Sequence, residues 1–237
     1  MLSYEEIKLN WQTVLNNVKE AAIKAGRDVE EITIIAVSKL QNNEAIINGL
    51  KSGIRVFGEN YAQEMMNKHK AIREVDGIKP KWHFIGHLQR NKVKYIAPFV
   101  EMIHTVDSTK LAWEISKQAK KNGRIIRCLL QVNTSGEPTK SGCEPEELLQ
   151  LVDDVIDIPY LKFEGLMTIG SFSDNEKIVR AEFIMLRNLL ERVNEKYSEL
   201  DFKHLSMGMS HDYPWAIEEG ATFVRVGTSI FGPRNYD

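Results

Sequence analysis

The sequence predicts an α/β fold: a single (β/α)8 barrel over residues 1–237 with one additional N-terminal helix. Three observations carry this expectation. Eight short runs rich in β-branched and apolar residues alternate with segments of helical spacing. Each strand-plus-helix unit takes roughly 30 residues, the size of a barrel repeat. No linker, low-complexity stretch or repeat beyond this rhythm interrupts the chain. A doubly wound open sheet is the alternative that periodicity leaves standing, although neither G-x-G-x-x-G after the first strand nor G-x-x-x-x-G-K-[ST] occurs.

Taken in order, Ser3-x-x-Glu6 is a capping-box pattern, and Trp11, Val14, Leu15, Val18, Ala21, Ala22 and Ala25 follow at helical spacing until Gly26 stops the helix. Thr33 to Lys39 reads as a buried strand ending on a cation, followed by a helix near 43–52. Arg55 to Gly58 is a short strand, and a helix runs from about Asn60 to Val75. Trp82 to Ile85, Met102 to Thr105 and Ile126 to Val132 are strands, separated by helices over Asn91 to Ala97 and Ser108 to Lys121. A helix at Pro145 to Val155 has proline in its first turn, and the strand Leu161 to Thr168 follows. A second capping box, Ser173-x-x-Glu176, opens a helix to Tyr197, with Val179, Phe183, Leu186, Leu190 and Val193 on one stripe. His204 to Ser206 and Thr222 to Val226 are the last strands, with a helix at Pro214 to Glu219 between them and a helical turn or two after Gly227.

Composition narrows the function classes. With 43% hydrophobic residues and 31 basic against 33 acidic side chains, the net charge is −2, which advertises neither a nucleic acid nor an anionic membrane as partner. No apolar run approaches a membrane span, and the N-terminus lacks the regions of a signal peptide, so a cytoplasmic location is expected. Cys128 and Cys143 are too few for a disulfide scaffold or a common zinc site, and both read as reduced and structural. No metal site is expected.

Polar groups recur where strands finish. Lys39 ends the first strand, on the barrel face where ligands bind, although a surface lysine in a loop is the bland alternative. Gly208 and Ser210 follow the seventh strand, and Gly227 and Thr228 the eighth. Loops there commonly build a barrel's phosphate site, but Gly-Ser and Gly-Thr are also ordinary turn residues. A phosphate site facing a strand-end lysine suits a phosphorylated ligand with an electrophilic carbonyl, and pyridoxal 5′-phosphate fits both ends. The lysine would form a Schiff base, favoured if an apolar pocket lowers its pKa. Arg225 could then meet the pyridine nitrogen; because arginine keeps its proton, it would weaken the electron sink. A structural ion pair is the alternative for Arg225.

The motifs Ala36-Val37-Ser38-Lys39, Phe57-Gly58-Glu59-Asn60-Tyr61, Trp82 to Lys92, Ser206-Met207-Gly208-Met209-Ser210-x-Asp212 and Val224 to Gly232 resemble the pyridoxal phosphate homeostasis protein family. Five motifs in order span essentially the whole chain. The resemblance implies a fold-type III barrel like the N-terminal domain of alanine racemase. It also implies cofactor on Lys39, phosphate contacts from Ser210, Gly227 and Thr228, Arg225 near the pyridine nitrogen, and Asn60 and Met207 near the cofactor. The implied role is in vitamin B6 and amino-acid homeostasis, with apo forms of pyridoxal phosphate enzymes as candidate recipients.

His83, between Trp82 and Phe84, reads as a hydrogen-bonded barrel histidine rather than a general base, and His87 as a loop residue. Arg90, Lys92 and Lys94 read as a solvated helix start rather than a nucleic-acid patch. The leading function is a cofactor carrier or regulator with no catalytic residue assigned, acting as a monomer. The other class is a racemase-like amino-acid enzyme, against which the sequence offers no room for the second domain of a full alanine racemase.

Overall fold

The computed structural model describes residues 2–137 and 139–233. Its strands are β1 (Thr33–Val37), β2 (Val56–Glu59), β3 (Lys81–Phe84), β4 (Met102–Val106), β5 (Ile126–Gln131), β6 (Leu161–Met167), β7 (His204–Met209) and β8 (Phe223–Val226). They pair in parallel and in sequence order into a closed barrel, with Ile35 of β1 in register with Arg225 of β8. The helices are α1 (Tyr4–Lys24), α2 (Asn43–Lys51), α3 (Ala62–Ala71), α4 (Val93–Ile96), α5 (Thr109–Lys121), α6 (Leu148–Val155), α7 (Glu176–Lys196), α8 (Tyr213–Glu218) and α9 (Thr228–Phe231). The expected barrel with its additional leading helix is therefore the observed architecture. The helical turn expected after Gly227 is α9, and residues 234–237 of the tail lie outside the described residues.

Alternation along each strand divides the core in two. Inward side chains of Ile35, Met102, Leu129, Met167 and Phe223 fill the barrel, while outward ones meet the helices in a much larger apolar layer. The leading helix joins that outer layer. Its capping box forms, with the Ser3 N–H donating to Glu6 Oε2 at 2.7 Å and the Glu6 N–H to Ser3 Oγ at 3.3 Å. Ile7, Trp11, Val14 and Val18 then bury one stripe, packed toward α2, α8 and α9. Each such side chain contributes about 1.5–3 kcal/mol when fully buried.

Three boundaries differ from expectation for identifiable reasons. α3 stops at Ala71 rather than Val75, because Ile72 already takes extended dihedrals (φ −124°, ψ 91°), and Asp76 and Gly77 then take positive φ, 52° and 77°. This is the geometry of a tight hairpin turn, and it lets Val75 and Ile78 exchange two backbone hydrogen bonds of 2.9 Å. The second capping box does not form: Asn175 caps α7 by accepting from the Lys177 N–H, and Ser173 instead accepts from the Asn175 N–H. Finally, β7 runs on to Met209, because Gly208 accommodates a φ of 88° at the irregularity where β7 shifts register against β8.

Candidate functional site

The end of β1 sorts its side chains by face. Val37 and Lys39 line a cleft at the carboxyl-terminal mouth of the barrel, whereas Ser38 between them points outward and is fully buried against Glu59. On β8 the same alternation turns Phe223 and Arg225 inward, and Gly227 and Thr228 follow at the rim. The cleft, about 330 Å³, is lined together by Lys39, Asn60, Ser210, Arg225, Gly227 and Thr228. Lys39 is half-buried and Arg225 almost fully buried.

Met207 is the exception among the sequence-derived candidates. It lies in the helix-facing apolar layer and does not line the cleft; the register shift at Gly208 brings Met209 and Ser210 to the mouth instead. Gly208 itself has no room for a side chain, since a Cβ would lie 2.5 Å from that of Ala216. Sequence reasoning passed over Asp212, Ile85 and the loop residues Ile169 and Ser171 to Ser173, all of which line the cleft. Position after the sixth strand was the available signal for that loop. Glu182 of α7 anchors it, accepting from the Ser171 N–H at 2.7 Å and from the Ser171 hydroxyl.

Polar contacts fix the rim and floor. The Gly227 N–H donates to Ser210 Oγ at 3.1 Å, tying the β7 and β8 loops together and leaving the serine hydroxyl proton to point elsewhere. Asp212 Oδ1 accepts from the Met209 N–H at 2.5 Å, and burial raises the Asp212 carboxyl above its usual range. Arg225 donates through Nη1 to Ser206 Oγ and through Nη2 to the Thr168 carbonyl, both at 2.8 Å. Burial lowers its pKa to about 10, so it remains a cation at neutral pH. The Asn60 Oδ1 is buried without a hydrogen-bond partner among the described residues. The Asn60 backbone is pressed against Gly86, where a Cβ would come within 2.3 Å of its carbonyl oxygen.

Beneath Arg225 a polar chain enters the barrel. Ser206 Oγ is hydrogen-bonded to His104 Nδ1, and His104 Nε2 to His83 Nδ1, each at 2.9 Å. His83 is thus the hydrogen-bonded barrel histidine expected, while His87 is exposed beside Ser141 and Asp107, off this cleft. Burial holds both interior imidazoles neutral, His83 down to about 3 and His104 well below its usual value.

The unfolded chain protonates these rings below about 6.5. Their contribution to stability is therefore complete above that pH and is lost as pH falls, by up to about 1.4 kcal/mol per unit for each ring. Urea unfolding from about pH 6 to 4 should show a slope shallower by about one such increment in His83→Gln than in wild type. Equal slopes would show that the ring is not held neutral. Among the described residues no cluster of metal-binding side chains occurs, and no helix is long and apolar enough to cross a membrane.

The alanine racemase N-terminal domain family matches residues 9–235. A pyridoxal phosphate homeostasis protein of Aquifex aeolicus is 43% identical over 223 residues, covering 94% of this chain and 96% of that protein. The chain belongs to the pyridoxal phosphate homeostasis protein family. Among solved structures, PipY of Synechococcus elongatus PCC7942, with pyridoxal phosphate bound, superimposes with a TM-score of 0.80 at 31% identity, covering 91% of this chain and all of that one. An alanine racemase of Clostridium difficile 630 shares the barrel at a TM-score of 0.75 with 19% identity; this chain covers 58% of it.

Proposed function

We propose that the cleft binds pyridoxal 5′-phosphate covalently on Lys39 and that the protein acts in vitamin B6 and amino-acid homeostasis by holding and releasing this cofactor. The observation that carries the reading is the convergence on one cleft of a strand-end lysine, a buried arginine and two rim hydroxyls. The residues present suit the group. The cleft volume falls in the range usual for small ligands, about 300–1,000 Å³, and the unpaired Asn60 Oδ1 can be satisfied by a ring hydroxyl. The bound solved relative supports the same ligand class.

When bound, the cofactor supplies an aldehyde carbon. Lys39 would hold it covalently through its side-chain amine. Ser210 and Thr228 would donate hydroxyl protons to the phosphate, helped by backbone N–H groups at the start of α9. Gly227 serves through Ser210, whose orientation its N–H fixes. Arg225 would meet the ring nitrogen as a donor. Hydrogen bonds to a charged group contribute about 1.5–3 kcal/mol each, so Ser210→Ala with Thr228→Ala should speed cofactor loss in dialysis by tenfold or more. Unchanged retention in the double variant would move the phosphate elsewhere.

A guanidinium that keeps its proton leaves the ring nitrogen unprotonated, which disfavours the carbanion chemistry of a racemase. Incubation of holoprotein with single enantiomers of alanine and serine should give no racemisation at an ordinary enzyme rate, of order 1–1,000 per second. Turnover in that range would favour the racemase-like reading. Further parts of the proposal are a cytoplasmic monomer and delivery to apo forms of pyridoxal phosphate enzymes; pull-down with such apoenzymes tests the delivery.

A further inference from the structure

Lys39 projects into the cleft from a tight turn, Ser38 to Gln41, closed by the Gln41 N–H donating to the Ser38 carbonyl at 3.0 Å. The third residue, Leu40, has a φ of 61°. A type II turn demands this left-handed conformation at that position, where glycine is at ease and leucine is not. The turn is therefore held rather than relaxed, and what holds it lies on the far side of the barrel wall from the cleft.

Lys68 of α3 is 4% exposed, and its ammonium is aimed at this turn. It donates to the Ser38 carbonyl at 2.6 Å, to Glu59 Oε1 at 2.8 Å and to Glu64 Oε1 at 2.6 Å. The same Glu64 oxygen accepts from the Leu40 N–H at 2.7 Å, and Ser38 Oγ donates to Glu59 Oε1 at 2.6 Å. Both peptide groups that flank Lys39 are thereby gripped: the one before it by its carbonyl oxygen, the one after it by its N–H. None of Lys68, Glu59 and Glu64 lines the cleft. A buried ammonium is costly to desolvate, and an apolar side chain of similar length would fill the same space at less cost. Burial drives the Glu59 pKa up to about 7 despite the neighbouring ammonium, and its Oε2 has no partner among the described residues. Packing alone does not account for so strained a polar cluster behind one turn.

We propose that Lys68, clamped between Glu59 and Glu64, is a positioning residue for Lys39, holding the Ser38–Gln41 turn in the left-handed shape that aims the reactive amine into the cleft. This rests on the reading that Lys39 takes the cofactor, and it adds three residues outside the cleft to the machinery of attachment. The clamp acts on the covalent step alone: it sets where the amine meets the aldehyde carbon and leaves the phosphate and ring contacts untouched.

The full-length protein, stripped of cofactor, is mixed with pyridoxal 5′-phosphate and quenched with borohydride at intervals, and the adduct is quantified on the Lys39 peptide by mass spectrometry. Binding of pyridoxine 5′-phosphate, which has no aldehyde, reports the cleft separately. Lys68→Met should slow fixation by about tenfold or more, the order expected when a reacting group is misplaced, with pyridoxine phosphate binding unchanged. Adding Leu40→Gly, which adopts the turn without help, should restore most of the rate. Glu64→Ala, at a partly exposed position, should act in the same direction and decides the question if Lys68→Met does not fold. Wild-type fixation rates in the folded variants, or equal loss of pyridoxine phosphate binding, would overturn the clamp. A wild-type protein that fixes no cofactor on Lys39 would instead overturn the functional reading on which it rests.

Discussion

Lys39→Ala is expected to be colourless and to retain no cofactor through borohydride treatment, while folding as the wild type does. The wild-type protein should be yellow, bleach on reduction and carry the adduct on the Lys39 peptide alone. The expected loss is complete because the covalent bond has one donor: Lys39 lines the cleft with Arg225 and the rim hydroxyls, and among the described residues no other lysine does. The alanine is harmless to the fold, since the residue follows β1 at the rim and is only half-buried. Noncovalent binding through the phosphate should persist at reduced affinity. An adduct that maps to a different lysine, or wild-type protein from which all cofactor dialyses away after reduction, would remove Lys39 from the centre of the site.

Gly165→Ala should be the most destabilising single methyl group added to the barrel. Gly165 lies in β6 at φ 154°, opposite His204 of β7, and a Cβ there would lie 2.0 Å from the His204 carbonyl oxygen. Backbone on the facing side cannot swing away as a side chain could, so β6 and β7 must separate and lose ladder hydrogen bonds. A cost of about 4 kcal/mol or more is expected, in the range reserved for severe packing faults, with a fall in Tm on the order of 10 °C. Guanidinium unfolding measures it, and an alanine variant within about 1 kcal/mol of wild type would show that the strands have slack the geometry denies.

The barrel was legible because its strands are built from residues that suit buried parallel sheet and little else: Ile34, Ile35 and Val37, or Ile126 and Leu129 to Val132. Its helices were legible where caps agreed with periodicity, as at Ser3 and Glu6. Where two local signals competed, the weaker cue decided. Asn175 outbid Ser173 as the cap of α7, and α3 gave way at Ile72 to a segment that turns back at Asp76-Gly77. The strand-end rule gathered Lys39, Asn60, Ser210, Arg225, Gly227 and Thr228 onto one cleft, since alternation from a known strand end fixes which face a residue takes. Met207, which the resemblance placed near the cofactor, packs in the helix-facing layer instead of lining the cleft, because a glycine with positive φ shifts the strand count by an amount no periodicity reveals. Lys68 was invisible for a different reason: a lysine on a charged helix looks solvated until the strand end beneath it is known.

The seam between β1 and β8 also sets when the cleft can come into being during synthesis. Lys39 emerges from the ribosome with the first strand, Arg225 and Thr228 only with the eighth, and the two ends of the site share no wall until the last strand docks beside the first. Until then a ligand that contacts both β1 and β8 has only one of its two walls. A ligand that contacts both sides of the seam would bind the closed barrel alone, and by binding it would disfavour reopening of the seam.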